Sequence, residues 1–295
     1  MSAYLQIRNY HRPAGLARAV EILASFGTKA RVIAGGTDIV ARRPGVATLD
    51  NVDHLVDISR LGLDYFKEEE DAIRIGAAAN INAIGTWPLF SSAPYRALSE
   101  SARSHSTKTI RNRATLGGNL CNASVCADLA LPLLVLDASL LAAGPGGQRE
   151  IRLENFFAGP NYSALDPAEI VLEIRIPRPG PRSGSAFVKL RRQQAAIDMA
   201  VVNAAVFLAC SQGRCREARI ALGAVAPVSL RAKKAESVLA GATLNEEMIQ
   251  RAAAAAAEEA RLIDDLRATA AYRKKMVAVL VRRALETSLR RCGSF

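Results

Sequence analysis

Two spacings of hydrophobic residues alternate along the first part of the chain. Residues 13–27 place apolar side chains three or four positions apart, which predicts a helix that ends at Gly27. The short apolar runs ARVIA (30–34), HLVDIS (54–59) and AIRIGAA (72–78) predict buried strands, and residues 80–104 return to helical spacing. This alternation predicts small α+β units up to about residue 178.

The pattern changes after residues 177–184, PRPGPRSG. Three prolines and two glycines interrupt it there and predict a domain boundary. Three extended segments follow, SAFVKLRR, DMAVVNAAVFLAC and EARIALGAVAP, with SQGR (211–214) as a hairpin turn between the second and the third. From Ser229 onward the spacing is helical. We therefore predict a second domain made of a three-stranded sheet covered by helices.

Composition describes a globular protein of two domains. The chain has 295 residues, of which 50% are hydrophobic and 23% are charged. Its formal net charge of +11 is spread along the chain, and aromatics make up only 5%, too few for a nucleic-acid stacking platform. Acidic partners or a phosphate-bearing ligand explain the charge better. The beginning of the sequence lacks the apolar core of a secretory signal, so we expect a cytoplasmic protein.

The five cysteines, an odd number at irregular spacing, argue against a disulfide framework. Two C-x4-C pairs, Cys121 with Cys126 and Cys210 with Cys215, could in principle hold a metal or an iron–sulfur cluster. Cys210 and Cys215 flank the predicted SQGR turn, which favours buried thiols over ligands for that pair.

A first pair of glycines, Gly35 and Gly36, follows the predicted strand ARVIA and precedes a helix start at Thr37 and Asp38. Glycines permit positive φ and close approach, and free N–H groups at a helix start can bind anionic oxygens. Taken alone, a Gly-Gly turn between a strand and a helix is more often structural. The pattern is not GxGxxG, so it does not support a Rossmann dinucleotide site.

A second glycine pair lies in the segment TIRNRATLGGNLCNASVCADLALPLLVLDA, where Thr115, Gly117, Gly118 and Asn119 again combine a hydroxyl, a bare backbone and an amide. Ten residues after Gly118, Asp128 precedes an apolar helical run. Its carboxylate could cap that helix or accept hydrogen bonds from ribose hydroxyls. The residues alone leave both roles open.

The two glycine segments together resemble the FAD-binding medium subunits of the molybdenum hydroxylases, the family of carbon monoxide dehydrogenase and xanthine dehydrogenase. The resemblance covers nearly the whole chain, from Pro13, Leu16 and Ala19 through EIVLEIRIP and FVKLRR to the C-terminal YRKKMVAVLVRRAL. It implies an α+β fold: an FAD-binding domain of the vanillyl-alcohol-oxidase (PCMH) type over residues 1–178, with two α/β subdomains split near residue 58. A C-terminal domain would cover residues 185–291.

The resemblance also implies which residues hold the cofactor. In the family both glycine loops wrap the FAD pyrophosphate, which here would involve Val32, Ile33, Ala34, Gly35, Gly36, Thr37, Asp38, Thr115, Gly117, Gly118 and Asn119. Asp128 would bind the adenosine ribose, whereas Val171 and Lys189 would line the flavin. His105 falls at a flavin-contact position whose residue type varies in the family. For Lys189, a solvent-facing strand lysine is the alternative.

The family also implies partners and a route for electrons. Substrate is hydroxylated at a molybdenum cofactor on a large subunit, and electrons cross two [2Fe-2S] clusters on a small subunit to the FAD held by a chain of this type. The final acceptor is NAD, a quinone or oxygen. We expect a heterotrimer, doubled by a two-fold axis, in which some basic runs of this chain (103–113, 189–192 and 282–291) meet acidic partner surfaces.

Three sequence features limit the chemistry of the chain itself. One branch of the family inserts a cysteine-rich loop with a four-iron cluster after the second glycine pair, but residues 119–128 carry no insertion, so we predict no cluster here. The histidines, His11, His54 and His105, are scattered, and we identify no catalytic residue and no metal site. The alternative function is a stand-alone FAD oxidase of the vanillyl-alcohol-oxidase type. A protein that has lost FAD is disfavoured because both glycine pairs, Thr115 and Asp128 are intact.

Overall fold

The structure, a computed structural model, describes residues 7–40, 52–193 and 199–293. A parallel sheet of order β1-β3-β2 opens the chain, with β1 (Asn9–His11), α1 (Leu16–Phe26), β2 (Ala30–Ile33), α2 (Thr37–Val40) and β3 (His54–Asp57). Helix α1 buries Ala19, Ile22 and Leu23, three of the positions that its apolar spacing brings onto one face. The predicted helix and the first two predicted strands are confirmed, with slightly shorter bounds.

A second, antiparallel sheet of order β4-β5-β10-β6-β7 forms the middle of the molecule. Its elements and the helices between them are β4 (Phe66–Glu68), β5 (Ala72–Gly76), α3 (Ile81–Thr86), α4 (Arg96–Ser104), α5 (Lys108–Arg111), α6 (Leu116–Cys121), α7 (Ala130–Val135), β6 (Ser139–Gly144), β7 (Gly147–Arg152), the small hairpin of β8 (Phe157–Gly159) and β9 (Tyr162–Ser163), and β10 (Ile170–Pro177). The helices between β5 and β6 carry the second glycine pair on α6, so the core beneath them fixes its position.

The C-terminal sheet has four strands, where the sequence predicted three. Its order is β11-β12-β13-β14, with β11 (Ser183–Arg191), β12 (Ala200–Ser211), β13 (Arg214–Gly223) and β14 (Leu230–Arg231). The extra strand has only two residues, too few to show any period in the sequence. The predicted SQGR turn is confirmed: Gln212 and Gly213, both at positive φ, join β12 to β13.

Strand β12 is covered on both faces. Val202, Ala204 and Val206 face a core formed with α8 (Lys233–Leu239), α9 (Glu246–Glu259) and α10 (Ala270–Arg291). Ala205 and Phe207 face the core that contains α3, α4 and α7. The C-terminal sheet therefore packs directly on the layer that bears the second glycine pair. None of the helices within the described residues is long and apolar enough to cross a membrane.

Candidate functional site

The two glycine loops lie against each other. The first follows β2, and Gly36 has a φ of +73°, which side-chain-bearing residues rarely adopt. A Cβ on Gly35 would overlap the carbonyl oxygen of Arg113, which belongs to the segment just before Thr115. Gly35 is therefore required because the backbone of the second loop passes directly over it. The sequence predicted that the two loops work together, and the structure brings them into contact.

The first loop offers backbone donors. Among the described residues, the N–H groups of Gly35, Gly36 and Thr37 have no backbone acceptor, and the helix α2 begins at Thr37. Residues 32–37 are half-buried and Asp38 is exposed. Free N–H groups in a glycine turn are suited to anionic oxygens. The donors expected for a pyrophosphate are thus present in the first loop.

In the second loop three backbone amides already have hydrogen-bond partners within the protein. Thr115 is the N-cap of α6, and its Oγ1 accepts from the N–H of Gly118 at 3.1 Å. The N–H of Leu116 donates to Ala79, and the N–H of Gly117 donates to the carbonyl of Ala77 at 2.8 Å. Capping and a bridge to residues 77–79 therefore satisfy the backbone N–H groups of Leu116, Gly117 and Gly118.

The two glycines of the second pair have different surroundings. A Cβ on Gly117 would lie 2.7 Å from the Cβ of Ala77, so this glycine is required by the protein's own packing. A Cβ on Gly118 would meet only Thr115 Oγ1, at 2.9 Å, and Gly118 itself is exposed. Next to it, Asn119 Oδ1 is buried and has no hydrogen-bond partner. Gly118 thus faces the open side of the loop, and Asn119 offers an acceptor suited to a ligand hydroxyl.

A buried polar cluster surrounds Asp128. Lys189 Nζ lies 2.6 Å from Asp128 Oδ2, and Asn203 Nδ2 donates to Asp128 Oδ1 at 3.0 Å. His105 Nδ1 lies 3.6 Å from Oδ2. The Lys189 side chain is only 6% exposed, so the alternative of a solvent-facing lysine is wrong. The sequence predicted His105, Asp128 and Lys189 as site residues, and the structure brings all three together.

Asp128 does not cap the helix that follows it. Helix α7 begins at Ala130, its N-cap residue is Leu129, and no side chain caps it. The carboxylate instead turns toward the C-terminal sheet. The cap interpretation that the residues had left open is therefore wrong.

The resemblance assigned Asp128 to the adenosine ribose and Lys189 to the flavin. In the structure the two side chains form one ion pair. In an extended FAD the ribose and the flavin are separated by the ribityl chain and the pyrophosphate.

Val171 is linked to the second loop through its strand. It lies in β10, is buried, and pairs with Ala142 of β6 beside a register shift. The carbonyl of its neighbour Leu172 accepts from the N–H of Ala77, the residue whose own carbonyl holds Gly117. Val171 is therefore the strand neighbour of Leu172, the residue that holds Ala77 and, through Ala77, the second glycine loop. No described contact joins Val171 to the Asp128 cluster.

The cysteines near the second loop are buried or half-buried thiols. Burial raises the pKa of Cys121 to about 12. For Cys126, burial again raises the pKa, while the guanidinium of Arg267, which donates to Sγ at 3.3 Å, opposes the rise. Both groups are therefore protonated thiols near neutral pH. Cys210 and Cys215 are buried, as predicted for that pair.

Comparison with known proteins identifies the family. The protein family described as FAD binding domain in molybdopterin dehydrogenase matches residues 5–179. The family described as CO dehydrogenase flavoprotein C-terminal domain matches residues 185–288. This chain belongs to the FAD-binding medium subunits of the molybdenum hydroxylases. The resemblance found in the sequence is confirmed, as is the fold class that it implied.

Individual medium subunits match over almost their whole length. The carbon monoxide dehydrogenase medium chain of Afipia carboxidovorans is 35% identical over 94% of this chain and 95% of its own. The xanthine dehydrogenase FAD-binding subunit of Escherichia coli O157:H7 is 29% identical over 97% of each. A solved carbon monoxide dehydrogenase of Hydrogenophaga pseudoflava, which lacks the Mo-pyranopterin moiety of its molybdenum cofactor, contains a chain that superposes with a TM-score of 0.90 at 31% identity, covering 97% of this chain and 98% of that one.

The residues of this medium subunit fit the cofactor of its family. Free N–H donors in the first loop, the open face of Gly118 and the unpartnered Asn119 Oδ1 provide donors, space and an acceptor. Asn203, which completes the Asp128 cluster, was missed by the sequence analysis. The available signal was a single amide within the apolar run VVNAAVFLAC, because a polar residue inside a fully buried strand calls for a specific partner.

Proposed function

We propose that this medium subunit carries electrons through FAD, receiving them from [2Fe-2S] clusters on a small subunit and passing them to an external acceptor such as NAD or a quinone. The observation that carries the proposal is the contact between the two glycine loops, with Gly118 left facing outward. The large partner would bear the molybdenum cofactor, where substrate is oxidised. FAD supplies the redox chemistry when bound, and the chain supplies binding, orientation and electrostatics.

Each part of the chain has a distinct task in this proposal. The first loop, residues 32–38, and the second, residues 115–119, hold the pyrophosphate. Asp128 and Lys189, with His105 beside them, fix one end of the cofactor. Val171, in β10, lines the cofactor site. Residues 1–178, divided near 58, form the FAD domain, and residues 185–291 form the C-terminal domain. Because none of the five cysteines, all of which lie within the described residues, forms a disulfide, a reducing compartment such as the cytoplasm suits the chain.

We expect FAD to be bound non-covalently. Covalent attachment needs a nucleophilic side chain, and the thiols nearest the second loop, Cys121 and Cys126, have raised pKa values chiefly because they are buried. Acid precipitation of the purified chain should release the yellow colour completely into the supernatant, at about one FAD per chain. Flavin that stays in the pellet would show a covalent bond.

Several cations in the predicted basic runs serve the chain itself. Lys189 is paired with Asp128, Arg291 binds Glu100, and Arg111 donates to the carbonyls of His105 and Ser106. The exposed cations of those runs include Lys108, Arg113, Arg192 and Arg283. A partner with an acidic surface would meet those residues.

We expect the chain to assemble with a large and a small subunit, and to dissociate from them more readily at high salt because exposed charges are screened. Sedimentation of the co-expressed subunits at low and high ionic strength measures this directly. The complex, supplied with substrate, should reduce an artificial electron acceptor, whereas the isolated chain should not.

Charge reversal offers a matched control for that assembly. Arg283→Glu changes an exposed cation, whereas Lys234→Glu changes a cation outside the basic runs. Weaker assembly is expected for the first variant only. The stand-alone oxidase would be favoured instead if the chain does not associate with its partners at low salt and, by itself, transfers electrons from a substrate to the acceptor.

A further inference from the structure

A row of three residues crosses the C-terminal sheet beneath Asp128. Lys189 of β11 pairs in register with Asn203 of β12, and Asn203 pairs with Gly223 of β13. Directly paired residues of neighbouring strands project from the same face of a sheet. Lys189 and Asn203 therefore approach the Asp128 carboxylate side by side, one on each oxygen.

Asn203 is enclosed more completely than either charged residue. Its exposure is 0%, and its Oδ1 has no hydrogen-bond partner. A Cβ on Gly223 would overlap that oxygen, so the bare backbone of Gly223 provides the space in which the amide lies. A buried amide with one unsatisfied atom costs stability. The position of the amide is explained by its other polar atom, Nδ2, which donates to Asp128.

Resting on the proposed function, we propose that Asn203 is a positioning residue of the cofactor site, which acts through Asp128. By donating to Oδ1 it fixes the rotation of the carboxylate, so that Oδ2 stays on Lys189. Without this donor the carboxylate can rotate about its Cβ–Cγ bond, and both Asp128 and Lys189 lose their fixed orientation toward FAD. Residues that hold a cofactor-binding group from behind affect affinity in this way.

Asn203→Leu tests the proposal, because leucine has the same number and branching of side-chain heavy atoms and removes the unsatisfied oxygen together with the donor. We expect this full-length variant to fold, and to bind FAD about 10-fold more weakly in a fluorescence titration of the apo-chain. Val206→Ala is the matched control: it lies in the same strand, is buried on the opposite face, and should lower the melting temperature without changing the FAD dissociation constant.

A double-variant cycle shows whether Asn203 acts through Asp128. In Asp128→Ala the carboxylate is gone, so adding Asn203→Leu should weaken FAD binding no further. Losses that simply add, or an unchanged dissociation constant for Asn203→Leu, would overturn the proposal. Gly223→Ala gives a second perturbation: it removes no polar group, but its Cβ displaces the Asn203 amide, and a smaller loss of FAD affinity is expected.

The same titration separates this inference from the proposed function. If the wild-type chain does not bind FAD, the proposed function itself is wrong. If the wild-type chain binds FAD and Asn203→Leu binds it equally well, only the role proposed for Asn203 is wrong.

Discussion

Gly118→Trp is expected to abolish FAD binding while the chain stays folded. Gly118 lies on the exposed side of α6, where an added Cβ meets only Thr115 Oγ1, so the indole would project into the space that faces the ligand. The position is helical and its φ is not positive, so the backbone conformation accepts a side chain, and the Thr115 hydroxyl, 2.9 Å from the added Cβ, is the group that has to shift. We expect affinity to fall at least ~100-fold, which corresponds to about 2.8 kcal/mol.

Titration of the apo-protein with FAD measures the loss, and the melting temperature of the apo-protein reports on the fold. Gly180→Trp is the matched control: this glycine is exposed, a Cβ would meet nothing within 4 Å, and its loop lies outside both glycine segments. It should bind FAD normally. Full flavin occupancy in Gly118→Trp would remove the second loop from the site, whatever the control does.

The other glycines show where a sequence pattern stops being informative. The two glycine segments predicted two loops of one site, and the structure brings these loops into contact. Gly35 and Gly117, however, are already required by the protein's own packing, because Arg113 and Ala77 lie directly against them. Which atoms face a glycine Cα is decided by contacts between segments far apart in the chain. The local pattern therefore indicated which glycines matter, but it did not show which of them is required by packing within the protein.

The same limit applies to the Asp128 cluster. The sequence indicated Asp128 and Lys189 one by one, through resemblance, but not that they touch each other. Their contact depends on the register of β11 with β12 and on how the C-terminal sheet packs over the helical layer. Asn203 entered the cluster for the same reason. The local apolar runs were enough to predict that the strands exist. The register between strands depends on packing of distant segments, which no short stretch of the sequence contains.

The largest effect on stability is expected from Lys189→Met. The Asp128 and Lys189 side chains are 4% and 6% exposed, so removing the ammonium leaves a buried carboxylate whose remaining polar neighbours, among the described residues, are the Asn203 amide and the more distant His105. Loss of one partner of a buried pair costs about 3–5 kcal/mol, because the remaining charge is uncompensated. Urea unfolding of the apo-chain measures this cost in the free energy of unfolding.

A second substitution separates the fold from the cofactor. In Lys189→Met/Asp128→Asn the buried charge is gone, while the carbonyl oxygen of the new amide can still accept from Asn203 Nδ2. Most of the lost stability should therefore return, since neutral replacement of a buried pair is often nearly free. FAD affinity should stay low, because the charged groups that hold the cofactor are absent. If the double variant regains FAD binding together with stability, the pair serves the fold alone, and the cofactor is held by the glycine loops.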